Sequence, residues 1–301
     1  MVSISNKRLL LKMLSLFSVV RGYNILVLIL AQYLTSAFIL APGLPLREVF
    51  FDDNLFFIIL SSATIIASGY IINNFYDSEK DLINRPKKTM LDRIVSQRTK
   101  LSVYFILNLL AIFFASYVSF KMVVFFSIYI FAIWLYSHRL KKILFLGNLV
   151  ASILTITPFF VIFVYYRNFE TVIFIHATFL YLMIVMRELV KDLENMQGDL
   201  AQNYQTIPVV YGEKWSKFFL SLLSILAVVP TLLLITRFDT GYMNYYFYSS
   251  LVLLVFFVLF LYFSKAKWQY LLLHNILKLI IVAGVFSILL IDLREVLSRV
   301  F

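Results

Sequence analysis

The sequence predicts an all-α, polytopic membrane protein, a bundle of about nine transmembrane helices with its N-terminus on the cytoplasmic side. Three observations carry this reading. Hydrophobic residues make up 62% of the 301 residues and charged ones 14%, against roughly 45–50% and about 25% in soluble domains. That excess is too large for a core and too evenly spread for one anchor. Phe (31) and Tyr (19) are abundant while Gly (8) and Pro (6) are few, which suits long lipid-facing helices. The charged residues gather in short segments between apolar runs.

A spanning helix needs about 20 largely apolar residues. Nine runs meet that length approximately: 17–41, 54–76, 101–119, 121–137, 144–166, 170–187, 216–236, 244–264 and 270–292. The third and fourth are divided only around Ser119 to Lys121, the fifth and sixth by Arg167, Asn168 and Glu170. No small-residue cleavage pattern closes the first run, so it reads as a retained helix.

The net charge is +11. Its confinement to loops points to topology, not to nucleic acid. With nine spans and the N-terminus inside, nineteen Lys and Arg fall on the cytoplasmic side. Six fall outside: Arg47, Lys121, Arg167, Arg237, Arg294 and Arg299. Arg21 and Lys278 lie within spans. Lys278, beside His274 and Asn275, is expected to snorkel toward the interface. The chain has no Cys, which excludes disulfides and thiol chemistry. His138, His176 and His274 are scattered and show no metalloprotease spacing. The whole chain, 1–301, reads as one membrane domain.

Two polar segments, about 77–100 and 188–215, are expected as the long cytoplasmic loops. The first begins Asn73-Asn74-Phe75-Tyr76-Asp77-Ser78-Glu79-Lys80-Asp81. Residues four apart share a helical face, so Asn73, Asp77 and Asp81 form a stripe that Asn84 continues. In the second, Glu188, Asp192, Asn195 and Asp199 share a face, with Lys191 one step round. Carboxylates on one face repel unless a cation neutralises them, and a hard, oxygen-ligated ion such as magnesium would do so. Magnesium favours one or two carboxylates plus substrate phosphates. Two facing stripes could therefore hold a diphosphate through bridging ions. The alternative is a solvated face at headgroup level. Polar residues that start inside apolar runs usually mark functional sites.

At these residues the chain resembles the UbiA superfamily of intramembrane prenyltransferases. Asn73, Asp77 and Asp81 match the first motif, and Asp81-Leu-Ile-Asn-Arg-Pro resembles its continuation. Arg187, Lys191, Asn195 and Asp199 stand at the four-residue steps of the second motif. Tyr136-Ser137, Leu140-Lys141, Gly147-Asn148, Thr206-Ile207-Pro208, Gly212 and Arg21 with Asn24 are similar to further family positions. The likeness covers about two thirds of the chain. The segment from Arg187 to Asp199 is most similar to enzymes that prenylate a glycerol-phosphate lipid. Asn74 and Asn195 depart from the pattern, each standing where Asp is usual. Asp192, Glu194 or Glu188 is expected to compensate.

The resemblance implies magnesium-dependent transfer of a prenyl chain from a polyprenyl diphosphate, geranylgeranyl by expectation, to a membrane-associated acceptor. That acceptor is expected to be geranylgeranylglycerol phosphate or a similar lipid alcohol. It implies Asp77, Asp81 and Asp199 as catalytic residues, and these with Asp192 as metal ligands. Asn73, Arg85, Lys141, Lys191 and Asn195 would contact the diphosphate. The active site would face the cytoplasm, in the cell membrane if the source is prokaryotic. An aromatic acceptor, a transporter or carrier, and an inactive prenyl-lipid binder are the competing readings. Transporters often bind near the midplane, whereas both stripes lie at span ends.

Overall fold

The computed structural model describes residues 4–291, with side chains from residue 10 onward. Of the charge count, Arg294 and Arg299 lie outside the described residues, as does the end of the ninth expected span, and Lys7 and Arg8 precede the described side chains. The described chain is helical throughout. It runs α1 (Ile4–Val19), α2 (Gly22–Thr35), α3 (Leu46–Phe50), α4 (Asp53–Asn84), α5 (Pro86–Asp92) and α6 (Gln97–Val118). It continues α7 (Phe120–His138), α8 (Leu146–Tyr166), α9 (Thr171–Ala201), α10 (Ile207–Arg237), α11 (Asn244–Phe263) and α12 (Lys267–Ser287). Among the described residues nine helices are long and apolar enough to cross a membrane, and this is an integral multi-pass protein.

The breaks have local causes. Val20 and Arg21 separate α1 from α2, with Arg21 left-handed at φ 51°. Beyond Thr35 the ladder widens to a π-helical turn, Ser36–Leu40, closed by the Ala41 N–H to the Ser36 carbonyl at 2.9 Å. Ser119 is fully extended, and its hydroxyl caps α7 by accepting from the Met122 N–H. Arg167, left-handed at φ 53°, ends α8. Pro158 inside α8 has no N–H, so the carbonyl four residues earlier is released from the ladder. That carbonyl, on Leu154, accepts from the Tyr129 hydroxyl of α7 at 2.7 Å.

The expected loops are largely helix. α4 runs eight residues past the expected end at 76, and α9 runs to Ala201, well past 187. α10 begins at Ile207 and kinks at Gly212 (φ 80°), so its straight part starts near the expected 216. Polar residues at the ends of apolar runs sustain a helix when its free faces can pack on neighbours, as these do.

The apolar interior has two centres. One gathers α2, α4, α6, α7 and α8 around Ile58, Ile65, Ile71, Phe126 and Ile162. The other gathers α9 to α12 around Met183, Met186, Leu220, Phe257 and Leu277. α4 is the most enclosed span. α4 and α9 also pack against each other, so the extended ends carrying both acidic stripes meet.

Candidate active site

The meeting of α4 and α9 depends on Gly198. A Cβ there would lie 2.3 Å from the Asn84 amide nitrogen, and the Gly198 N–H instead donates to Asn84 Oδ1 at 3.1 Å. A second close approach sets the third wall. A Cβ on Gly147 would fall 2.9 Å from the Lys141 carbonyl, so glycine lets the start of α8 sit under the 3-10 turn Leu140–Lys142. Asn84 thus locks one stripe to the other, and Gly147 helps bring Lys141 to the first.

Asp77 is the hub. Its side chain is buried, and its Oδ1 accepts from Lys141 Nζ at 2.7 Å and from the Tyr204 hydroxyl at 2.9 Å. Lys141 Nζ also donates to Asn73 Oδ1 at 3.2 Å. Lys80 Nζ lies 3.7 Å from Asp77 Oδ1 and 3.2 Å from Asp199 Oδ1, so one ammonium bridges the two stripes. The Tyr204 ring lies 4.3 Å beneath that ammonium. Tyr204 follows α9, outside the spans. Its burial, and then the Asp77 carboxylate, push its hydroxyl above the usual range, so it stays protonated and donates to Asp77. Asp192 accepts from Asn148 Nδ2 of α8 at 2.8 Å.

The structure therefore brings Asn73, Asp77, Lys141, Asp192, Asn195 and Asp199 to one end of the bundle. Other expected residues have different partners. Arg85 holds Glu194 at 2.9 Å, with His274 3.5 Å from the other Glu194 oxygen. Lys191 and Arg187 both engage Glu188. Glu188 and Glu194 are thus occupied by cations and do not stand in for Asn195. Asn74 faces away from the stripe. It donates to Asp92 Oδ2 at 3.1 Å and accepts from the buried Lys100 Nζ at 2.8 Å. Its lack of charge therefore removes nothing from the Asp77 side. Lys278 bonds the Tyr23 hydroxyl at 3.2 Å.

Lys80 and Tyr204 escaped the reading of the sequence. The i,i+3 spacing of Asp77 and Lys80 was a usable signal. Tyr204 offered none, because it reaches Asp77 from 127 residues away.

Among the described residues no three acidic or imidazole groups converge on one point. The donor set nevertheless suits a hard cation. It consists of carboxylate and amide oxygens, the ligands such ions take. Asn195 Oδ1 is buried without a hydrogen-bond partner, and Asp199 Oδ1 has only its ion pair with Lys80. Buried polar oxygens of that kind are few in native proteins and call for a partner.

Deeper in the bundle lies an apolar cavity of about 220 Å³, lined among others by Ala31, Thr35, Phe160, Phe179, Met183 and Val285. Met183 precedes Asp192 by nine residues on α9, about 13 Å along the axis.

The chain and its fold are similar to known proteins. The model of the UbiA prenyltransferase family matches residues 17–284. The digeranylgeranylglyceryl phosphate synthase of Methanobrevibacter smithii is 28% identical over 251 residues, 79% of this chain and 83% of the relative. That of Methanospirillum hungatei is 30% identical over 237 residues, 75% and 79% of the two chains. The fold is similar to a solved structure of a digeranylgeranylglyceryl phosphate synthase, with TM-score 0.68 and 20% identity, covering 92% of this chain and 97% of that one. It is also similar to a UbiA homolog from Archaeoglobus fulgidus bound to GPP and Mg2+, with TM-score 0.66 and 13% identity, covering 91% and 99%.

Proposed function

The chain belongs to the UbiA prenyltransferase family, and from that premise we propose that it transfers a geranylgeranyl chain from its diphosphate to geranylgeranylglycerol phosphate. The observation that carries this reading is the pairing of the two oxygen-rich stripes across Lys80. The named relatives are digeranylgeranylglyceryl phosphate synthases, and the Archaeoglobus homolog is bound to a prenyl diphosphate with magnesium. We assign the whole chain to one prenyltransferase domain, with the stripes at the cytoplasmic face of the cell membrane.

Asp77, Asp81 and Asp199 would hold divalent metal, with Asp192 beside them and Asn73 and Asn195 as neutral oxygen donors. A metal bound there would supply charge neutralisation to the diphosphate. Lys141 and Lys80 already sit against the carboxylates and present ammonium charge to the same volume. Positive groups fixed in a low-dielectric site stabilise developing anionic charge without reorganising. Tyr204 orients Asp77 by donating to it. Arg85 acts through Glu194, tying the end of α4 to α9, and Lys191 is held by Glu188 within α9. The donor chain runs toward the apolar interior. The bond from its allylic carbon to diphosphate breaks, the acceptor hydroxyl oxygen forms the new ether bond, and the hydroxyl proton passes to the released diphosphate.

The test is turnover in lipid nanodiscs with labelled geranylgeranyl diphosphate and magnesium. Acceptors are geranylgeranylglycerol phosphate, dihydroxynaphthoate and hydroxybenzoate. The expected product is the diether phosphate, abolished by chelator. An aromatic product alone would move the chain to the aromatic branch, and metal-dependent diphosphate binding without any product would make it a binder.

A further inference from the structure

A second polar cluster lies between α2 and α12, away from the paired stripes. Lys278 is eleven residues into α12, about 16 Å from Lys267 along the axis. Its Nζ bonds the Tyr23 hydroxyl at 3.2 Å and lies 4.5 Å from the centre of the ring. Arg21 stacks over Tyr70 of α4 at 5.1 Å, and Asn24 donates to the Tyr70 hydroxyl at 3.2 Å. Among the described residues no carboxylate pairs with Arg21 or Lys278.

This is an expensive arrangement for structure alone. A cation within a span is costly, usually paired, and marks a substrate path. Arg21 also holds a left-handed backbone, φ 51°, a conformation rare outside glycine. Arg21 and Lys278, two cations without carboxylate partners that reach Tyr70 and Tyr23, form a seat for an external anion. The seat is reachable from the bilayer, since Tyr23 is 53% exposed. It is also near the reaction. Tyr70 and Asp77 are seven residues apart, hence on one face of α4 and about 10 Å apart along it. Further along the same two helices, Ala31, Thr35, Ile281, Gly284 and Val285 line the apolar cavity. A phosphorylated amphiphile could rest its headgroup on Lys278 and its chain along α2 and α12.

We propose that Lys278, with Arg21 and Tyr23, seats the phosphomonoester of the acceptor lipid, and that this seat selects a phosphorylated alcohol over its uncharged form. The inference rests on the proposed transfer reaction. The same chemistry would also attract the phosphate of a bulk anionic lipid, and the experiment separates the two.

Binding would be measured with the full chain in zwitterionic nanodiscs containing chelator, so that catalysis does not enter. The probes are geranylgeranylglycerol phosphate and geranylgeranylglycerol. The wild type is expected to prefer the phosphate form by about tenfold or more, the scale of one charge-assisted contact. Lys278→Gln should erase that ratio while binding the alcohol as before, and Lys278→Arg should keep it. With turnover as the second readout, Lys278→Gln should raise the acceptor KM and leave the donor KM alone. A ratio that survives Lys278→Gln, or equal loss of both lipids, overturns the seat. Loss of the preference in phosphatidylglycerol nanodiscs assigns the seat to bulk lipid and overturns the acceptor role. A Lys278-dependent preference in a chain that makes no product would leave the seat standing and sink the transferase reading instead.

Discussion

Asp77 and Asn74 lie within one turn of α4 and face different worlds. Asp77 looks into a cluster rich in oxygen donors, where two lysines and a tyrosine converge on one carboxylate oxygen. Oxygens of Asn195 and Asp199 nearby lack hydrogen bonds. Asn74 looks the other way, into a closed network. Its amide bridges Asp92 to Lys100, and Asp92 also accepts from Ser18 of α1 and pairs with Lys88. In the first cluster the charges can be re-partnered by an incoming anion or cation. In the second every named group is matched, and the amide ties α1, α5 and α6 to α4. A helix can thus carry a reactive face and a fastening face three residues apart.

The largest effect should come from the reactive face. Asp77→Asn keeps the shape and removes the charge. Turnover of labelled prenyl diphosphate should fall about 10²–10³-fold, as when one fixed electrostatic group is lost. Turnover within threefold of wild type would remove Asp77 from the site.

Next comes the joint between the stripes. Gly198→Ala drives a methyl into the Asn84 amide and should separate α4 from α9. A displacement near 1 Å costs about a hundredfold in rate, so a loss of about ten- to a hundredfold is expected. The double variant Gly198→Ala with Asn84→Ala should recover part of it. A double variant no better than the single would show that the crowding lies elsewhere.

The fastening face should affect stability more than rate. Asn74→Ala leaves the buried Lys100 and Asp92 each short of a partner, a loss of about 1–3 kcal/mol. The melting temperature in detergent should drop while turnover of the surviving enzyme stays within about threefold. A large loss of turnover at unchanged melting temperature would place Asn74 in the chemistry after all.

The smallest effect is expected at Asn195. Its Oδ1 is buried on the side of Asp199 and needs a partner. Asn195→Asp adds a negative charge there, and cation sites tighten with ligand charge. The magnesium concentration for half-maximal turnover should fall by about two- to threefold. No change, or a rise, would remove Asn195 from the metal's surroundings.

The sequence by itself determined the membrane bundle, its nine apolar runs, the weak break at Ser119 and the stripes Asn73–Asp77–Asp81 and Asp192–Asn195–Asp199. These are local facts, carried by run length and by the 3.6-residue helical repeat. Only the tertiary structure decided which charges meet. Periodicity places a side chain on a face and does not say which helix that face touches. Arg85 and Glu194, Asn74 and Lys100, Tyr204 and Asp77, and Lys278 and Tyr23 are pairs formed across 26 to 255 residues. In a medium where an unpaired charge is costly, the packing of α4, α9 and α12 chose these partners.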